Sequence, residues 1–382
     1  MNPYMALPAH PEQFTAAWLS AALQAAGVAG SDEIDGCGVE VIGVERGFTG
    51  VVARITLRYR EAVEGAPASV IGKFPLAERA GTSSYRELQA SSPELAPGYI
   101  ERSVREVSFY REAGPDLPQV PRCYFGHADP EAGEVVLLLE DLASGEPGDA
   151  LAGCAVDEAR SVLACVAHLH GRWWASPELG SLDWPGDWAG GNQVRVERYR
   201  QQAGSVVERY AERLPPGMGS LILALRDRLA GILAALAATP HTLIHLDLHL
   251  DNVIFLRPEG DPLAYVLDWQ SVSVGPAMLD VAGFIVESLS VDDRRVHERD
   301  LLRAYRDDLA RLGVSDYPFE RLRDDYLRVL LVRLAGTVGW LARAEVDSLQ
   351  SRERELVEAI FVPGRLFTAL DDYRIAERLR DL

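Results

Sequence analysis

Lysine is almost missing from this 382-residue chain: among 38 basic residues only Lys73 is a lysine, and the rest are arginines. Positive charge as a whole is scarce, because 57 acidic residues bring the formal net charge to −19. That balance argues against a nucleic-acid partner, whose phosphates need clustered Lys and Arg, and against docking on an anionic membrane. An acidic surface serves solubility and would also suit a cationic substrate. Cysteine is sparse too. Cys37, Cys123, Cys154 and Cys165 show no CxxC spacing, which disfavours a zinc site or a disulfide framework and fits a reducing cytoplasm. Long uncharged apolar runs are absent. The most apolar stretches, Leu221–Ala238 and Leu327–Ala344, are broken by Arg226, Asp227, Arg228, Arg333 and Arg343, so they read as core helices and not membrane spans. No basic segment leads into an apolar one near Met1, so no signal peptide is expected. What remains, 48% hydrophobic and 25% charged residues, is the composition of a globular protein with ample length for a core.

The pattern along the chain changes near Asp141. Before it, Pro11–Gly27 has helical periodicity through Phe14, Trp18, Leu19, Ala22 and Leu23, with Gly27 as the stop. Val39–Val44, Val51–Tyr59 and Ser69–Phe74 read as strands, Glu78–Gly98 as a charged loop or insertion, and Ser103–Glu112 as a helix. Two more strands near Arg122–His127 and Glu134–Leu139 complete an expected five-stranded antiparallel sheet with one helix. After Asp141 the chain becomes chiefly helical: Asp157–Ala175, Leu221–Ala238, Leu279–Leu289, Arg295–Leu312, Pro318–Ala344 and Arg352–Leu382. A Trp- and Gly-rich piece, Asp183–Asn192, interrupts these helices as a candidate substrate-side insertion. The expected organisation is α+β and bilobal, with an N-terminal lobe over residues 1–142 and a helical C-terminal lobe over 143–382.

The richest segment is His-Leu-Asp-Leu-His-Leu-Asp-Asn-Val-Ile-Phe, His245–Phe255, followed by Val-Leu-Asp-Trp at Val266–Trp269. Val253–Leu256 and Ala264–Leu267 read as two short strands around a turn holding Pro258, Gly260 and Pro262. Pairing Leu256 with Ala264 sets Asn252 opposite Asp268, and directly opposed residues sit roughly 5 Å apart at Cβ. A Mg2+ ion, with oxygen ligands at about 2.0–2.1 Å, fits between two such side chains. Asp247 then stands just upstream, facing a substrate hydroxyl. Taken singly, each of these residues is an ordinary turn or cap residue; the spacing of all three is what favours a phosphoryl-transfer site.

That spacing resembles the catalytic loop and metal-binding Asp of kinases. The form His-x-Asp-Leu-His-x-x-Asn plus Leu-Asp-Trp-Gln is similar to the aminoglycoside phosphotransferase and choline kinase superfamily, particularly its ecdysteroid-kinase-like and choline-kinase-like branch. Leu137–Leu142 and His168–Trp174 add to the resemblance, which covers roughly Val39 to Ala344. The chain departs from it at Leu246, where the superfamily usually has Gly. The resemblance implies a protein-kinase-like fold, ATP and Mg2+, and a hydroxylated small-molecule acceptor. It implies Asp247 as the group that accepts or orients the acceptor proton, and Asn252 and Asp268 as Mg2+ ligands. Lys73 would neutralise the α- and β-phosphates, although a strand-end lysine could equally be an exposed cation. Glu106 is the candidate partner of Lys73, with Glu101 and Glu87 competing. Gly47, Phe48, Thr49 and Gly50 would cover the triphosphate or form an ordinary hairpin, and the backbone of Glu140, Asp141 and Leu142 would meet the adenine. His245 and His249 would brace the loop, His249 with a lesser possibility of touching phosphate. Asp280 would support the loop from a helix start.

Only eleven residues separate Asp268 from Asp280, with no Ala-Pro-Glu, so there is no room for the peptide-holding segment of a protein kinase. A catalytically silent nucleotide-binding module would normally have lost a charged site residue. The expected function is an ATP-dependent O-phosphotransferase acting on an antibiotic or related natural product of aminoglycoside- or nucleoside-like type. The alternative acceptor is a choline-, sugar- or steroid-like alcohol. A cytoplasmic monomer or homodimer, with no nucleic-acid or membrane partner, completes the expectation.

Overall fold

The computed structural model describes residues 6–42, 50–75, 96–132, 134–344 and 351–380. The chain groups into two compact units, one of Met1–Ser144 with Leu267–Ser271, the other of Gly145–Val266 with Val272–Leu382.

In the first unit the opening helix is shorter than the periodicity predicts. Pro11–Gln13 form a 3-10 turn, and α1 spans Ala16–Ala25. Thr15 sets the start: its side chain accepts a hydrogen bond from the Trp18 N–H and so satisfies one of the orphan donors of the first turn. Strands β1 (Ile34–Ile42), β2 (Val51–Tyr59) and β3 (Ser69–Phe74) follow. The helix α2 covers Ala96–Ser108 and continues as a π-helical turn over Phe109–Ala113. The predicted loop 78–98 therefore ends early, since Ala96–Gly98 already belong to α2. Strands β4 (Cys123–Asp129) and β5 (Glu134–Glu140) close an antiparallel sheet of order β1-β2-β3-β5-β4.

This unit buries one face of its sheet. Val51, Ala53, Ile55 and Leu57 are buried while their neighbours in β2 are not, the period of two that a half-covered strand requires. Trp18, Leu19, Ala22 and Leu23 of α1 pack with Phe14, Ile55, Val70, Phe74 and Leu138 in one apolar cluster. Phe14 meets Trp18 and Phe74 edge to face at 5.0 and 5.5 Å.

The second unit is mainly helical. After the short β6 (Glu146–Pro147) come α3 (Val156–Trp173), β7 (Gly186–Asp187), α4 (Asn192–Arg209) and α5 (Met218–Ala237). Strands β8 (His241–Ile244), β9 (Val253–Leu256), β10 (Leu263–Val266) and β11 (Ser273–Pro276) then form two small sheets, β10-β9-β6 and β7-β11-β8. Six helices complete it: α6 (Met278–Ser288), α7 (Val291–Arg311), α8 (Phe319–Arg343), α9 (Ser351–Phe361), α10 (Arg365–Asp372) and α11 (Ile375–Arg378).

Two features here differ from the sequence reading. The helix α4 was not anticipated, because its buried stripe is only Val196, Tyr199, Ala203 and Val206, set among Arg, Glu and Gln. The predicted helix over Arg352–Leu382 is three helices. Pro363 has no N–H to offer and Gly364 takes a left-handed φ of +62°, so the chain turns between α9 and α10. No helix among the described residues is long and apolar enough to cross a membrane.

Candidate active site

On the first unit the lone lysine lies between two carboxylates. Lys73 Nζ is 2.6 Å from Glu106 Oε1 and 2.9 Å from Asp268 Oδ1. The Lys73 side chain is 12% exposed, Glu106 2% and Asp268 11%. The elements explain the meeting. Lys73 is half-buried, at a position in β3 that alternates with the buried Val70, Gly72 and Phe74, and α2 presents Glu106 one residue before the buried Val107. Trp269 stacks flat on Phe109 at 3.9 Å and 13°, fastening the Leu267–Ser271 segment to α2. Burial alone would lower the Lys73 pKa, but the Asp268 and Glu106 carboxylates outweigh it and hold the ammonium firmly charged. Burial pushes the Glu106 carboxyl upward and Asp268 adds to this, with Lys73 opposing. Of the competing candidates, Glu101 is 63% exposed and pairs with Arg105, and Glu87 falls outside the described residues.

On the second unit the loop after β8 is shaped from beneath by Asp280, at the start of α6. This buried carboxylate accepts the His245 N–H at 2.7 Å and the Leu246 N–H at 2.8 Å. It is also 3.3 Å from His170 Nε2, and His170 Nδ1 is in turn 2.7 Å from the Tyr305 hydroxyl. Burial would raise the Asp280 pKa, but the hydrogen bonds from His170 and from the His245 backbone reverse that and lower it. Leu246 takes a left-handed φ of +66°. The Asp247 N–H points to His245 Nδ1 at 3.3 Å, while the Asp247 side chain stays 47% exposed, with His249 Nε2 3.8 Å from its Oδ1. Asn252 Nδ2 donates to the Asp247 carbonyl at 3.0 Å and lies 3.2 Å from His249 Nε2, and neither contact uses its amide oxygen.

The strand register corrects one step of the sequence reading. The pairs are Leu263 with Leu256, Ala264 with Phe255, Tyr265 with Ile254 and Val266 with Val253, one residue away from the predicted alignment. The observed register matches buried residues with buried ones, Phe255 with Ala264 and Val253 with Val266. The predicted register would have opposed each to a half-exposed partner, and a slip of one residue reverses every face. The register therefore does not set Asn252 directly opposite Asp268, and both lie outside the strands. Asn252 ends a 3-10 turn, and Asp268 follows β10 with a left-handed φ of +60°.

Of the expected triphosphate turn, Gly47, Phe48 and Thr49 fall outside the described residues. Gly50 has a φ of +80°, and a Cβ there would lie 2.3 Å from the Phe74 carbonyl oxygen. Asp141 has a structural use for its side chain, accepting from Arg54 at 2.7 Å and from Ser69 at 2.6 Å. Glu140 exchanges backbone and side-chain bonds with Arg122, and Leu142 is buried. Trp184 and Trp188, from the expected substrate-side insertion, are buried core residues. Sequence reasoning missed three arginines near the loop. Arg352 bonds both oxygens of Asp251 at 2.9 Å and reaches Asp149 at 3.1 Å; Arg333 and Arg365 line a nearby cavity. Arginine is so common in this chain that these three carried no distinguishing signal.

A family model described as the phosphotransferase enzyme family matches residues 80–356, well over half of the chain. The chain belongs to that family. Among solved structures this phosphotransferase is similar to choline kinase from Cryptosporidium parvum, at 14% identity, 92% coverage of this chain, 94% of that one and a TM-score of 0.52. It is also similar to a candidate aminoglycoside phosphotransferase from Ralstonia eutropha, at 20% identity, 92% and 95% coverage and a TM-score of 0.50. At such identities the likeness establishes the fold alone, which is kinase-like. No curated protein matches this phosphotransferase in sequence.

Proposed function

We propose that this phosphotransferase moves the γ-phosphoryl group of ATP to a hydroxyl of a small molecule, an antibiotic or related natural product. The observation that carries the reading is the sole lysine of the chain, held 2.6 Å from Glu106 and 2.9 Å from Asp268. A kinase needs such a strand-borne ammonium to neutralise phosphate charge, and a second group to hold it in place.

In this reading Asp247 accepts the proton of the acceptor hydroxyl as its oxygen forms a bond to the γ-phosphorus. The bond to the β-bridging oxygen breaks and ADP leaves. Lys73 meets the α- and β-phosphates, and Glu106 keeps its ammonium aimed. Asn252, through its uncommitted amide oxygen, and the Asp268 carboxylate are the proposed Mg2+ donors. Both are hard oxygen donors, and Mg2+ typically takes one or two such side chains alongside phosphate and water. When bound, Mg2+ would offset the charge on the phosphate oxygens.

The test is ADP release from Mg·ATP against a panel of hydroxylated acceptors, with mass detection of the phosphorylated product. Transfer that disappears in Asp247→Ala supports the reading, and failure to bind Mg·ATP at all would overturn it.

A further inference from the structure

The second unit contains a cavity of about 520 Å3, within the range that holds drug-sized ligands. The loop that carries Asp247 forms one wall of it, through His249, Leu250 and Asp251. Arg333, Gly336, Thr337 and Trp340 line it from α8 at the spacing of one helical face, and Leu356, Ala359 and Ile360 do so from α9. Every charged side chain in its lining already has a partner within the protein. Both oxygens of Asp251 accept from Arg352 at 2.9 Å, and one also accepts the Ala150 N–H at 3.0 Å. Both oxygens of Glu287 accept from Arg333, at 2.5 and 2.6 Å. Arg365 donates to the carbonyls of Ala150, Leu151 and Glu287, the last in the final turn of α6 where a cation is favoured. Both carboxylates of the lining are thus held by guanidiniums, Glu287 by Arg333 and Asp251 by Arg352, and Arg365 is held by carbonyls; the remaining surface is largely Leu250, Trp340, Leu356, Ile360 and Leu366.

We infer that the acceptor is an uncharged hydroxylated molecule with an apolar ring body, seated in this cavity with its hydroxyl toward the Asp247 loop. The inference rests on the phosphotransferase reading above. A polyamine such as an aminoglycoside, or a quaternary ammonium alcohol, would have to be desolvated against a lining whose two carboxylates, Asp251 and Glu287, are both already held by arginines. Taking a cation out of water without a counter-charge is strongly unfavourable, and breaking the Glu287–Arg333 pair to free a carboxylate strands the arginine instead. An anionic acceptor would have to compete with Glu287 for Arg333, or with backbone carbonyls for the Nη groups of Arg365. An uncharged ring exchanges water for apolar contact and requires none of these rearrangements.

Gly336 gives the cavity a direct test. A Cβ placed there would meet nothing within 4 Å, so a larger residue adds bulk to open space without disturbing the backbone. The experiment measures Mg·ATP binding and acceptor-dependent ADP release for wild type and Gly336→Leu. The probes are kanamycin, choline, chloramphenicol and a neutral polyhydroxylated steroid, with thermal melting as the check on folding. We expect kcat/KM for an uncharged probe to exceed that for kanamycin or choline by at least about 100-fold. Gly336→Leu should raise KM for that probe by at least about 10-fold, the scale of added bulk in an apolar pocket. It should melt no lower than wild type, since leucine favours a helix interior over glycine. Preferential transfer to kanamycin or choline would overturn the inference, as would an unchanged KM in a folded Gly336→Leu. Normal Mg·ATP binding with no transfer to either uncharged probe would overturn the acceptor class while leaving the phosphotransferase reading standing. Loss of Mg·ATP binding in wild type would remove both.

Discussion

At the scale of single residues, the loop around Asp247 is a strained turn held by one buried carboxylate. Leu246 sits in the left-handed region, which costs an L-residue with a full side chain about 1–2 kcal/mol, at a position where the superfamily usually has glycine. The Asp280 carboxylate offsets this by accepting the N–H groups of His245 and Leu246 at once. Asp280→Asn leaves a single oxygen for those two donors and should cost about 2–3 kcal/mol in urea unfolding at neutral pH. The sign of its pH dependence follows from the lowered pKa. The folded state binds the Asp280 proton less readily than the unfolded chain, whose ordinary value is 3.8. Its contribution is therefore complete well above that value and is lost as pH falls through the lower folded one. The stability gap between wild type and Asp280→Asn should narrow below about pH 4; a gap that widens there would contradict the assignment. In the proposed function the chemistry belongs to the neighbouring residue. Asp247→Ala should lower transfer by at least about 100-fold while leaving ATP affinity within a few-fold, measured by calorimetric titration beside turnover.

Among the elements, the first sheet depends on a close approach at one strand end. Gly50 opens β2 at φ +80°, where a Cβ would fall 2.3 Å from the Phe74 oxygen and 2.6 Å from the Pro75 Cα. Gly50→Ala should therefore destabilise the first unit by at least about 2 kcal/mol, combining left-handed strain with a backbone clash. A denaturant midpoint equal to that of wild type would show that the strand end relaxes freely. The same scale explains which elements the sequence reveals. Strands β2 and β3 were legible to the residue because period-two burial and flanking turn residues mark their ends. The helix α4 was not legible, because only Val196, Tyr199, Ala203 and Val206 face inward and packing decides the rest. The β9–β10 register slipped by one because the turn residues between the strands allow either alignment, and only the buried partners choose.

Across the whole molecule, the formal charge of −19 at a sequence pI near 4.9 implies self-repulsion in the folded state. Raising NaCl from low ionic strength to about 0.3 M screens that repulsion. The melting temperature should then rise by about 2–4 °C, the shift expected of about 1 kcal/mol in a unit of this size. A fall would mean that the many Arg–carboxylate pairs on the surface outweigh the net charge. The sequence by itself determined the sheet-then-helix order, the chemistry of Lys73, Glu106, Asp247, Asn252 and Asp268 as candidates, and the phosphotransferase family, because local periodicity and fixed spacing are written along the chain. Only the tertiary structure decided which glutamate meets Lys73 and which carboxylate supports the Leu246 turn. It alone showed that both carboxylates lining the cavity beside the Asp247 loop are held by arginines. Those outcomes depend on contacts between residues such as Lys73 and Asp268, 195 positions apart, and burial, not sequence spacing, sets their cost.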